Sequence, residues 1–245
     1  MPIEDFTYSA YDSLINLINK NGYRFTNYHN SADDGKKQCI IRHDVDSRLE
    51  KTVRLGEIEY NNDLSSTYFV LLRTDMYNVF SKRCVEFFNR LQSLGHEIGL
   101  HFDEGFFAEK DYDIKREIKN EAAILSEAIG QEVRVVSMHR PSEKTLGADY
   151  QFDNIVNSNS KKFFKEFKYL SDSRMFWREN VEDAVCSEKY RKIHLSLHPG
   201  WYSEEKNTMA GNLRGFIDSA KDERYKFLSE NIYDLETILC RGNER

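Results

Sequence analysis

QCIIRHDVD, residues 38–46, ends an apolar run in an arginine, a histidine and two aspartates. The charged stretch RLEKTVRLGEIEYNN, residues 48–62, follows at once and has a helical pattern. Read as a strand running into a helix, the segment opens an alternation that continues along the chain. SSTYFVLL (65–72), HEIGLHFD (96–103) and EVRVVSMH (132–139) read as strands. NVFSKRCVEFFNRLQSLG (78–95) and DIKREIKNEAAILSEAIG (113–130) read as helices stopped by Gly95 and Gly130. Upstream, SAYDSLINLINKNGYRF (9–25) reads as a first helix with Leu14, Ile15, Leu17 and Ile18 on one face and Gly22 as its stop. YQFDNIVNS, FKYLSDS and RKIHLSLHP are later strand candidates, and the tail from about Ser219 to Leu239 reads as helical. Such alternation predicts an α/β fold, a parallel sheet covered by helices, with function at the C-terminal ends of the strands.

The polar surprises fall at those ends. Five strand candidates finish in HDVD, LHFD, MHR, SDS and LHP. Alternate side chains of a strand share a face, so Arg42, Asp44 and Asp46 point one way and His43 and Val45 the other. Two carboxylates on one face need a positive partner, either a divalent metal or a buried arginine. An aspartate capping the next helix is the plainer reading of each. In GHEIGLHFD the alternation groups Glu97, Gly99, His101 and Asp103, with Gly99 leaving room beside His101. That makes His101 the better metal-ligand candidate and His96 a structural histidine. His139 and Arg140 follow an apolar run, and Pro141 predicts an extended chain at Arg140. His198, at the end of IHLSLHPGWY, is the acid/base candidate, with His194 deeper and structural. Asp172 can orient His198 or pair with Arg174. Trp177 and Trp201 are aromatics that can stack on a sugar ring or wall a pocket. NSNSKKFFKEFK (157–168) reads as a solvated helix face.

Composition excludes several classes. The chain has 245 residues, 40% hydrophobic and 31% charged, which fits a globular domain large enough for a core. A net charge of −6 argues against nucleic acid as a partner. Cys39, Cys84, Cys186 and Cys240 lack C-x-x-C spacing and suggest a reducing compartment. No apolar run is long enough for a membrane span and the N-terminal stretch has no signal-peptide pattern, so a cytoplasmic location is expected. The absence of linkers and repeats predicts one domain over residues 1–245. Walker, G-x-G-x-x-G, G-x-S-x-G and H-E-x-x-H patterns are missing.

Taken in order, RHDVD, GHEIGLH, MHRPS, YLSDSRMFW and LSLHP resemble the five motifs of the polysaccharide deacetylase (NodB-homology) superfamily, carbohydrate esterase family 4. The HDVD and GHEIG-x-H forms are similar to the branch tied to bacterial surface-polysaccharide synthesis. The resemblance implies an irregular (β/α)7 barrel over the single domain, with the motifs between about residues 40 and 200. It also implies a metal-dependent hydrolase that removes an N-acetyl group from a sugar. Asp44 would be the general base and His198 the general acid. Asp46 and His101 would hold one divalent ion, zinc first, with cobalt, manganese or nickel as alternatives. The family's second histidine of motif two falls at Gly105 here, so His139 is the expected third ligand, with Asp103 or Glu104 as substitutes. Arg140, Asp172, Trp177 and Trp201 are the expected substrate contacts. The expected substrate is a small, nucleotide-linked or lipid-linked amino sugar. A cyclic amide or imide hydrolase, a metal-free carbohydrate-binding protein, and an assembly partner using exposed Phe106 and Phe107 are the alternatives.

Overall fold

Helix α1 (Tyr8–Lys20) begins where the Thr7 hydroxyl accepts the Ala10 N–H, and it buries Ala10, Tyr11, Leu14, Ile15 and Ile18 on one stripe. Strand β1 (Arg24–Thr26) follows and leads to β2 (Gln38–Val45), whose eight residues are all buried. Burial on both faces is what a central parallel strand requires. The alternation then runs α2 (Thr52–Asn61), β3 (Thr67–Leu71), α3 (Lys82–Ser93), β4 (Glu97–Asp103), α4 (Ile114–Ile129) and β5 (Val135–His139). Gly95 (φ +84°) and Gly130 (φ +66°) end α3 and α4 in the left-handed conformation that glycine adopts freely. Shorter pieces complete the series: α5 (Glu143–Ala148), β6 (Val156–Asn157), α6 (Lys161–Lys165), β7 (Lys168–Ser171), α7 (Val181–Cys186) and β8 (Lys192–Leu197). This computed structural model describes residues 2–107 and 112–239, so Cys240 lies outside the described residues.

Every strand pair is parallel, in the order β6-β5-β4-β3-β2-β8-β7, with β1 beside the first half of β2. Among the described residues β6 and β7 do not pair, so the curled sheet stays open between them. Its curl shows in the cores. Two apolar layers lie between sheet and helices, one built on α1, β8 and α7, the other on α3, β4 and α4. A third, with Ile40, Phe69, Val135, Tyr28, Phe163 and Phe167, fills the inside of the curl. The expected barrel-like α/β fold is therefore the one observed.

The chain divides into two compact units, Met1–Lys206 and Asn207–Arg245. All five motifs lie in the first. The second carries α8 (Met209–Asn231) and α9 (Leu235–Ile238), the helical tail. No helix among the described residues is long and apolar enough to cross a membrane.

Several local expectations change. Past Gly22, Arg24–Thr26 forms a short strand that the sequence did not signal, because three residues against β2 leave no alternation to read. NSNSKKFFKEFK is only half solvated: Phe163 and Phe167 enter the inner core while Lys161 and Lys162 stay exposed. The space beside Gly99 is filled, since a Cβ there would stand 2.7 Å from the Phe69 ring and 2.8 Å from Val135. Arg140 is not extended. Its φ is +49°, and the chain reverses there because Glu104 accepts the Ser142 N–H at 2.6 Å while Ser142 caps α5.

Candidate metal centre and acid–base site

Register puts the site together. The β2–β8 pairing sets Arg42 opposite Ser196, and β4–β5 sets His101 opposite Ser137 and Asp103 opposite His139. Asp46 stands one residue past β2, among the histidines that end β4 and β5.

Asp46, His101 and His139 converge. Asp46 Oδ1 lies 3.4 Å from His101 Nε2 and 3.3 Å from His139 Nδ1, and those two nitrogens are 3.2 Å apart. Ligand atoms arranged tetrahedrally at ~2.1 Å from a zinc-like ion stand about 3.4 Å from one another. His101 donates its Nδ1–H to the Ser137 carbonyl at 3.3 Å, which leaves the Nε2 lone pair facing the other two groups. One carboxylate oxygen and two imidazole nitrogens suit a first-row divalent ion. The residues present therefore fit the expected group. Burial acts to raise the Asp46 pKa, but when the rings are protonated, hydrogen bonds from His101 and His139 and the charges of His101 and His198 hold it well below the usual carboxylate range. Asp103 and Glu104 are engaged elsewhere: Asp103 accepts the Gly105 N–H, and Glu104 holds Ser142.

Asp44 is buried one step deeper. Its Oδ2 accepts from Arg42 at 2.9 Å and from Ser196 at 3.0 Å. Arg42 also donates to the hydroxyls of Ser196 and Ser158, each at 3.1 Å. Burial favours the neutral acid, but the Arg42 guanidinium outweighs it, with His101 and His198 adding, so the pKa falls. Asp44 Oδ1 is buried without a hydrogen-bond partner among the described residues. One oxygen is thus fixed and ionised, and the other is unused.

His198 Nε2 lies 3.9 Å from Asp46 Oδ2. Its Nδ1–H donates to Asp172 at 2.6 Å, and its backbone N–H reaches the second Asp172 oxygen at 3.2 Å. Burial alone would lower the His198 pKa, but the Asp172 hydrogen bond and charge, with Asp44 and Asp46 beyond, push it up to about 9. At neutral pH this imidazole is a cation with Nε2–H available.

The remaining candidates separate. Asp172 is fully buried and holds His198, so it is not placed to touch a substrate. Trp177 packs in the α1–β8 core, where a buried strand-exit aromatic and a rim aromatic look alike in sequence. Trp201 follows His198 in a short 3-10 turn and is half-buried. The Arg140 side chain is 79% exposed, 3.9 Å from Asp103. His194 is buried against Tyr28 at 2.8 Å, and burial drops its pKa to about 3. Phe107 is buried, stacked on Phe102 and Tyr112, and only Phe106 of that pair is exposed. Arg42 is a buried positive partner of the kind that two carboxylates on one face require, while nothing in the motifs points to Ser158 or Ser196. An arginine inside the apolar run CIIRHDV was the available signal.

No family model and no curated protein matches the chain. Solved structures do. A family 4 carbohydrate esterase from Bacillus anthracis is 18% identical, over 85% of each chain, with a TM-score of 0.42. A Streptococcus pyogenes deacetylase in complex with acetate is 15% identical over 57% of this chain and 66% of that one, with a TM-score of 0.44. A family 4 pseudoenzyme from Bacillus anthracis is 17% identical over 77% of this chain and 62% of that one, with a TM-score of 0.42. The chain is similar in structure to polysaccharide deacetylases of carbohydrate esterase family 4.

Proposed function

We propose that the protein is a metal-dependent hydrolase that removes an N-acetyl group from a sugar or sugar conjugate. The observation that carries this reading is the spacing of Asp46, His101 and His139, 3.2 to 3.4 Å between ligand atoms, beside one ionised acid and one protonated histidine. A divalent ion held there, zinc first with cobalt, manganese or nickel as alternatives, would lower the pKa of a water and polarise the acyl carbonyl.

The chain's own residues divide the proton work. Asp44 Oδ1 takes the proton of the attacking water, while Arg42 and Ser196 keep Oδ2 occupied and the carboxylate aligned. His198 gives its Nε2 proton to the departing nitrogen as the C–N bond breaks, and Asp172 fixes the ring by its other nitrogen. Water and amide become acetate and amine. Arg140, next to His139 in the chain and 79% exposed, and Trp201, three residues past His198 and half-buried against the α1–β8 core, are the side chains left to touch the sugar. A nucleotide- or lipid-linked amino sugar of surface-polysaccharide synthesis, met in the cytoplasm, is the substrate we favour. The free thiols of Cys39, Cys84 and Cys186 are compatible with that compartment.

The test has two parts. Protein purified without a histidine tag is expected to hold near one equivalent of metal, lost in Asp46→Ala and His101→Ala. The loaded parent is then screened for acetate release from N-acetylated sugars. A parent that takes up no zinc, cobalt or manganese would end the reading.

A further inference from the structure

The same three strands that carry Asp46, His198 and Asp172 at one end carry a different surface at the other. A shallow groove of about 560 Å³ lies before the starts of β7 and β8. It is lined by Lys36, Lys165, Lys168, Lys189, Arg191 and Lys192, against two acids, Asp33 and Glu166. Six cations gather here in a chain of net charge −6. Strand length puts the groove roughly 20 Å from the histidines, so it serves none of their chemistry.

The groove is built, not a random spread of lysines. Lys168 is held by Glu179 at 2.6 Å, and Lys192 by Asp33 and Glu166 at 3.2 Å each. Arg191 donates to the Gly35 carbonyl, which ties the strand start to the loop opposite. Lys36, Lys165, Lys189 and Arg191 are exposed and make no ion pair among the described residues. The acids present are spent on Lys168 and Lys192, so the excess charge is positive. One half-buried aromatic ring, Tyr190, lies among the cations, and the buried Phe167 backs them. Lys168 and Lys189 place their ammonium groups 5.3 and 5.2 Å from the Tyr190 ring centre, and Lys192 lies 5.5 Å from that of Phe167.

We infer that this groove binds an anionic saccharide chain, its carboxylates on the free ammonium groups and a sugar ring on Tyr190. Ammonium groups beside an aromatic face match alternating charge and apolar ring surface. The groove is open rather than enclosed, which suits a chain better than a small ligand. A nucleic acid fits less well, because its dense charge meets the acidic remainder of the molecule. The inference concerns the far end of the sheet and holds whether or not the amide-hydrolase reading does.

The test measures binding of polygalacturonate to the full-length protein by titration calorimetry, beside neutral dextran and a short oligothymidylate. Expected is saturable polygalacturonate binding that weakens with salt and falls at least tenfold in Lys36→Glu/Lys165→Glu/Lys189→Glu. Those three side chains are exposed, and unchanged thermal unfolding of the variant would show that the fold is kept. No binding by the parent, equal binding by the triple variant, equal binding of dextran, or tighter binding of the oligothymidylate would each overturn it.

Discussion

Two acid–histidine clusters grow from neighbouring residues of β2, one on each face. Asp44 and the following Asp46 belong to the cluster at the strand's exit, with His101, His139 and His198. His43 belongs to the other, behind the sheet, where it donates to Glu59 of α2 at 2.7 Å. Glu59 also accepts from Tyr68 and Ser66 at 2.7 Å each and from Tyr11, with His96 3.5 Å away. The residue types are nearly the same. Behind the sheet, the Glu59 carboxylate has donors on both oxygens and is fully buried. At the exit, Asp44 keeps an oxygen with no partner, and three ligand atoms crowd together without a proton to satisfy them all. A polar cluster that closes on itself holds structure, and one left incomplete is available for chemistry.

The comparison is broken most sharply by Asp44→Asn. Turnover is expected to fall roughly 10³-fold, while elemental analysis finds the parent's metal content. Near-normal turnover would remove Asp44 from the base role. The mirror experiment is Glu59→Gln. It should cost about 3 kcal/mol in denaturant unfolding, because four donors lose an ionised acceptor, and leave metal content per folded molecule unchanged. A loss of metal from well-folded Glu59→Gln would show that the two clusters are not separate.

Acid sharpens the same contrast. Burial would raise the Glu59 pKa, but His43 and the other donors hold it down to about 2, below its ordinary 4.5. A depressed carboxyl pKa gives stability that is complete above pH 4.5 and is lost as pH falls toward 2, roughly 3 kcal/mol in all. Unfolding curves between pH 5 and 2 should show this fall in the parent and a flatter profile in Glu59→Gln. Asp172→Asn comes next, with a tenfold to hundredfold drop in kcat expected from a loosened His198 and little change in KM. The smallest effect is that of Arg140→Ala, within about 0.5 kcal/mol in stability, with a raised KM as its signature.

The exit cluster was legible because strand ends are where a polar residue breaks an apolar run, and His101, His139 and Asp46 each do so. The alternation behind the fold was legible for the same reason, in runs long enough to show a period. α5 and α7, six residues each, and β6, two residues, are too short for one. The Glu59 cluster stayed hidden because acids on helices usually face water. Its one signal was position: Glu59 falls four residues after Leu55 and beside Ile58, on the buried stripe of α2. Trp177 and Phe107 were misjudged because exposure of an aromatic is set by loops that have no period.

Phe69 carries a consequence for anything that enters the exit cluster. Its ring occupies the Cβ space of Gly99, lies 5.5 Å under the Arg42 guanidinium and sits 6.4 Å from His101. The inside of the curl is therefore filled beside His101. If the substrate is the acylated sugar proposed above, it cannot thread down the axis past this ring and rests across the mouth with only its acyl arm lowered. On that reading, discrimination between substrates falls to the loops around the rim and leaves the strands below unchanged.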